Sequence, residues 1–252
     1  MSAYGPLCTQ FYDADKAFAG DDEVEWYVAR LPRDEGPVLE VMSGSGRLLI
    51  PLLDRDVEVH GCDASAAMLA SCEARLDRIG FQASLYRQDA TTLDLPIRYA
   101  AAFVAAGSFQ LIVDRPAARA ALERVRAHLI GPATLLLDLF VPGEAAQPPA
   151  DPVTATRTVT LPDRTRITYR STSVVDVARQ RIDTTARYEK RSGPMILGRE
   201  DEVLAMTWYS EAQIEALLAE AGFRAVEFLP SPGTPRAATP DGERRFAVRA
   251  QG

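Results

Sequence analysis

Val38-Leu39-Glu40-Val41-Met42-Ser43-Gly44-Ser45-Gly46-Arg47, continued by Leu48-Leu49-Ile50-Pro51-Leu52-Leu53, decides how this chain is read. Gly36-Pro37 precedes an apolar, β-branched run, which predicts a buried strand. The run passes through Ser43-Gly44-Ser45-Gly46 into an apolar helical stretch. A strand that turns through glycines into a helix is where doubly wound α/β folds bind cofactors. Glycines let the backbone approach a ligand closely, and a helix start offers unpaired N–H groups. A dinucleotide site wants Gly-x-Gly-x-x-Gly or Ala, but Leu49 occupies the third position here. Glu40, just before the turn, would repel a pyrophosphate and tolerate a cation.

Downstream, Val57–Asp63 reads as a second strand, and its terminal Asp63 lies 23 residues after Glu40. That is close to the ~20-residue spacing at which an acid meets a ribose. Ser65 can cap a helix with the stripe Met68-Leu69, Cys72, Leu76 and Ile79. Residues 83–90 read as a third strand and its exit through Asp89-Ala90. Residues 101–106 predict a fourth, running into Gly107-Ser108-Phe109-Gln110. A helix over 116–129 leads to a fifth, central strand at 133–140. Strand alternating with helix predicts a mostly parallel sheet. Near the N-terminus, Phe11-Tyr12-Asp13 precede a helix expected to start at a capping Asp21, with Val24, Tyr27, Val28 and Leu31 as its core stripe.

The pattern changes after residue 142. A Pro/Ala-rich linker over 143–152 leads into a stretch with period two, where Ile182, Thr184, Ala186 and Tyr188 alternate with charged neighbours. This predicts an antiparallel meander inserted after the fifth strand, with a turn at Pro162-Asp163. Residues 207–252 return to the first pattern: a capping box at Ser210, a helix stopping at Gly222, and two last strands. The expected division is 1–142 with 207–252 as one domain and 143–206 as an inserted β subdomain. Nine basic residues face four acids between 154 and 191. Two readings follow. One is a solvated or oligomer-forming surface, giving a homodimer through the insertion; the other is an arginine cluster, Arg166 and Arg170 included, for an anionic acceptor. The first is the expectation.

The ordered set Glu40, Gly44, Gly46, Asp63 and Asp89 resembles the motifs of class I S-adenosylmethionine-dependent methyltransferases. The closest likeness is to the small-molecule branch with a β insertion, similar to sugar N-methyltransferases and glycine N-methyltransferases, over residues 8–140 and 207–250. The resemblance implies a Rossmann-like, mostly parallel seven-stranded sheet with helices on both faces. It also implies S-adenosyl-L-methionine as cofactor and a methyl group moved to N or O of a small molecule by in-line displacement. The implied cofactor-binding residues are Tyr12, Glu40, Met42, Gly44, Gly46, Asp63, Ala64, Met68, Asp89, Ala90 and Ala105. Within that set Tyr12 serves as a lid, Asp63 holds the ribose and Asp89 accepts from the adenine amino group. Met42 departs from the family at the first motif glycine, and Ala100 stands where an acid is common.

No general base is identified: His60 and His128 are expected to be structural, and Tyr4, Gln110 and Trp208 are pocket candidates without an assigned role. No metal set is present. The net charge of −7 argues against a nucleic-acid partner, and the lack of a long apolar run argues against a membrane span. Cys8, Cys62 and Cys72 form no disulfide pattern, and the start lacks a signal peptide, so a cytoplasmic location is expected. A non-catalytic S-adenosylmethionine binder is the alternative. An NAD-dependent oxidoreductase ranks below it, because Leu49 and Glu40 speak against one.

Overall fold

A computed structural model describes residues 4–142, 152–232 and 244–252. Among the described residues six α-helices, α1 (Pro6–Asp15), α2 (Asp21–Val28), α3 (Leu49–Leu53), α4 (Ala66–Ile79), α5 (Arg115–Ala127) and α6 (Glu211–Glu220), accompany eleven strands. Seven strands make one sheet: β1 (Val38–Val41), β2 (Val59–Asp63), β3 (Leu85–Arg87), β4 (Tyr99–Val104), β5 (Leu129–Val141), β10 (Arg224–Pro230) and β11 (Arg244–Gln251). Their spatial order is β10-β11-β5-β4-β1-β2-β3. The five strands from β5 to β3 run parallel, and β11 and β10 pair antiparallel.

Alternation along the strands builds two cores. Leu39, Val41, Ala102 and Val104 face one way, against α5 and α6. Val38, Ala101 and Phe103 face the other, against α2, α3 and α4. A sheet buried on both faces explains why β1 is buried at all four positions. The sheet order reverses direction beside β1, where β2 lies on one side and β4 on the other. Open α/β sheets bind ligands in the crevice at such a point.

The remaining strands, β6 (Val153–Thr160), β7 (Arg166–Asp176), β8 (Arg181–Ser192) and β9 (Met195–Thr207), form a four-stranded antiparallel sheet in chain order. It lies between β5 and α6 in sequence, as the period-two pattern predicts. No helix among the described residues is long and apolar enough to cross a membrane.

The residues ahead of Asp21, to which the sequence pattern assigns no element, form a helix of their own, α1, whose inner residues Cys8 and Phe11 pack on Ile167, Ala186 and Tyr188 of the small sheet. Two local expectations need correction. Asp21 is the first residue of α2 rather than its cap; Gly20 holds that position without a side-chain bond. Ile79 is 46 % exposed, and Arg75 takes its place on the inner stripe of α4. The guanidinium of Arg75 donates to the Ser45 and Ala17 carbonyls, which ties α4 to the glycine turn.

Candidate functional site

A cleft of about 530 Å³ opens at the carboxyl ends of β1, β2 and β4. Met42, Ser43 and Gly44 form its floor. Asp63, Ala64, Ser65 and Met68 make one flank, with Asp89 and Ala90 beside them. Ala105, Ala106 and Ser108 make the other, and Tyr4 and Tyr12 reach in from the N-terminal segment. Thus ten of the residues singled out from sequence meet here: Tyr12, Glu40, Met42, Gly44, Asp63, Ala64, Met68, Asp89, Ala90 and Ala105. Gly46 is not among the cleft-lining residues. A Cβ there would stand 2.6 Å from Cys72 Sγ, so it serves the packing of the turn on α4.

The turn after β1 explains the sequence departure at Met42. Met42 adopts φ +60, the left-handed conformation that a glycine would take freely. Such a conformation costs a side chain about 1–2 kcal/mol. Its side chain packs against the main core, which offsets that cost. Gly44, at φ +55, turns its N–H toward Asp63 Oδ2 at 2.9 Å. Asp63 Oδ1 accepts from the Ser65 N–H at 2.7 Å. Each carboxylate oxygen keeps further lone pairs, and the chain around it is fixed from both sides. Burial raises the Asp63 pKa, while its backbone donors pull it back down.

Glu40 is 4 % exposed, and its Oε2 is buried with no hydrogen-bond partner. Burial pushes its pKa up to about 8, against the opposing pull of the Arg47 guanidinium. Arg47 is itself occupied: it donates to both carboxylate oxygens of Glu23, at 2.9 and 2.5 Å. An orphaned buried carboxyl oxygen on a cleft wall leaves a place for a donor or a cationic group of a ligand to satisfy it. Asp89 caps a 3₁₀ turn over Ala90–Thr92, accepting from the Thr91 N–H at 2.8 Å and its hydroxyl at 2.6 Å.

The small sheet closes the cleft. Val203, Leu204 and Ala205 of β9 line it, an arrangement that sequence reasoning missed. The same strand clamps α1: Glu200 accepts from the Leu7 and Cys8 N–H groups at 2.9 and 3.0 Å, and Glu202 from the Tyr4 N–H at 2.5 Å. A carboxylate on a helix N-terminus satisfies orphan donors and complements the dipole. The Ser65 hydroxyl donates to the Tyr4 carbonyl at 2.7 Å, so the N-terminal segment bridges both sheets. Burial raises the pKa of both Tyr4 and Tyr12, which keeps these phenols protonated as donors.

Of the other candidates Tyr4 lines the cleft, and the rest sort away from it. His128 Nε2 accepts from the Leu95 N–H at 2.9 Å while Nδ1 faces the Arg124 carbonyl at 2.7 Å, a structural bridge. His60 lies 3.4 Å from the Tyr99 hydroxyl. Buried Gln110 donates to the Phe140 and Thr207 carbonyls and accepts from Phe140, tying β5 to the end of β9. Trp208 is buried and does not line the cleft.

Arg166 and Arg170 are also absent from the lining. Counted over 143–206, ten basic residues meet nine acids, because Glu144 and Asp151 precede the first count and Glu200, Asp201 and Glu202 of β9 follow it. Arg187 pairs with Asp201 at 2.6 Å, and both Arg191 and Arg199 pair with Glu189.

Asp138 was also missed. It is buried on β5, and burial raises its pKa to about 6. Its Oδ2 accepts from the Ala106 N–H and its Oδ1 from the Ser231 hydroxyl, each at 3.1 Å. It braces the strained turn of Ala106 (φ +55) and Gly107 (φ +72) on the cleft wall. A lone acid within the apolar run 135–140 was the available signal.

Residues 38–130 match the family model described as a methyltransferase domain. No curated protein matches the sequence. Among solved structures, an S-adenosylmethionine-dependent methyltransferase from Clostridium acetobutylicum superposes with TM-score 0.74 at 16% identity, covering 96% of each chain. The sugar N-methyltransferase KedS8 from Streptoalloteichus gives 0.75 at 21% identity, over 100% of this chain and 94% of that one. The amino pentose methyltransferase CalS10 from Micromonospora echinaspora gives 0.68 at 19%, over 100% and 98%. These likenesses show the fold, and the family match covers residues 38–130.

Proposed function

We propose that this chain, whose residues 38–130 carry a methyltransferase domain, moves a methyl group from S-adenosyl-L-methionine to N or O of a small molecule by in-line displacement. The observation that carries this reading is the pair of carboxylates in one cleft: Glu40 orphaned at one position and Asp63 pre-set by two backbone donors at the other. Asp63 offers its free lone pairs to two adjacent ribose hydroxyls; such charge-assisted bonds contribute roughly 1.5–3 kcal/mol each. Glu40 balances the cationic end. Asp89 receives the adenine amino group, with Ala64, Met68 and Ala90 around the base and Met42 and Gly44 below. Tyr12 covers the site, and Ala105 leaves room for the reacting centre.

S-adenosylmethionine, when bound, supplies a methyl group activated by a sulfonium. The chain's own work is positioning and exclusion of water, and in-line positioning alone can supply up to ~7–11 kcal/mol. Tyr4, Tyr12 and Ser108 are neutral hydroxyl groups that can orient an acceptor. An amine acceptor needs only to arrive unprotonated. Calorimetric titration with S-adenosylmethionine tests the reading: the native chain should bind it, and Asp63→Ala should lose at least thirtyfold in affinity. Equal binding by both proteins, or no binding by the native one, would falsify it.

A further inference from the structure

Five apolar lining residues are left over from the nucleoside set: Leu111 and Ile112, and Val203, Leu204 and Ala205 of β9. Leu111 ends a 3₁₀ turn (Ser108–Leu111) that lies against β9, so the two groups are neighbours. Val203 is 74 % exposed, the most open of the large apolar side chains in the described residues. A valine left this open on a cleft lining is apolar surface with no described residue packed over it.

The lining carries more acids than bases. Asp63 and Asp89 line it, with Glu40, which holds a proton at neutral pH until a cation binds beside it, and Arg47 is the one basic residue among the described lining residues. Both terminal nitrogens of Arg47 donate to Glu23, so its charge is already paired there. The hydroxyls of Tyr4, Tyr12 and Ser108 are neutral. An acceptor with a carboxylate or phosphate at this wall would meet acids and a guanidinium whose charge is already balanced.

We infer that the methyl acceptor is a small molecule resting an apolar face on Leu111, Ile112 and Val203–Ala205, with no anionic group at that wall, and that Val203 selects for it. This deepens the proposed methyl transfer and rests on it. The alternation of β9 fits the role: Glu202 is buried and bonded to the Tyr188 hydroxyl and the Tyr4 N–H, and Val203, the next residue, points out of that cluster. An exposed side chain on this strand can be enlarged without disturbing either core.

Matched pairs of aryl-alkyl amines and phenols, each against the same skeleton bearing a carboxylate, test the inference by release of S-adenosylhomocysteine. Binding of S-adenosylmethionine is measured beforehand on the same protein. The native chain should favour the member without the anion at least tenfold in kcat/KM. Val203→Arg should shrink that ratio at least fivefold and leave nucleoside affinity within twofold. A native preference for the anionic member, an unchanged ratio in Val203→Arg, or turnover of none of the pairs by a chain that binds the nucleoside overturns the inference. A chain that fails to bind the nucleoside overturns the proposed function, and this inference with it.

Discussion

Glu40→Gln gives the sharpest test, because Glu40 works against stability and for binding. Its carboxyl has an ordinary pKa of 4.5 and is raised to about 8 in the fold, chiefly by burial. Between those values the folded state holds a proton that the unfolded state has lost. Stability therefore falls as pH rises from 4.5 and levels off above 8. At pH 7 the gap is 2.5 pH units above the unfolded value, or about 3 kcal/mol at 1.36 kcal/mol per unit. Urea midpoints from pH 5 to 8.5 should drop more steeply in the native protein than in Glu40→Gln.

Binding reverses the preference. A cationic ligand group beside Oε2 favours the ionised carboxylate, so the proton must leave. With a pKa of about 8, most molecules carry that proton at pH 7, and ionising it costs on the order of 1 kcal/mol of the binding energy. Calorimetric titration with S-adenosylmethionine in two buffers of different ionisation enthalpy should report close to one proton released. Glu40→Gln should release none and bind at least tenfold more weakly. Tight binding by the native chain without proton release at pH 7, or the same release from the variant, would refute the assignment of Glu40.

Gly46→Ala should cost about 2–4 kcal/mol in urea unfolding, since φ is +80 and the new Cβ meets Cys72 Sγ at 2.6 Å. Adding Cys72→Ala should recover part of that loss, and no recovery would place the cost in the backbone alone. Glu200→Ala should cost about 1–2 kcal/mol by uncapping α1. It should also speed proteolysis within residues 6–15; an unchanged cleavage rate would show that α1 is held by its apolar face instead.

What the sequence determined by itself was local in origin. Period-two and helical alternation, the glycine turn after β1, the acid at the end of β2 and the Ser210 capping box each act within a few residues. They therefore specify the same element in any surroundings. The succession of strands and helices along the chain, the family resemblance and ten of the residues that line the cleft followed from them. The tertiary structure decided the rest. Helix α1 has an inner face only because the small sheet lies under it, and its N-terminus is capped by Glu200, far away in the chain. Val203–Ala205 became a cleft wall because the insertion folds back over the strand ends. The apparent basic charge of the insertion shrinks once acids outside 154–191 are counted, three of them on β9, its own last strand. Met42 shows the limit most directly: packing against the core holds a methionine in a glycine conformation, and no neighbouring residue in the chain announces it.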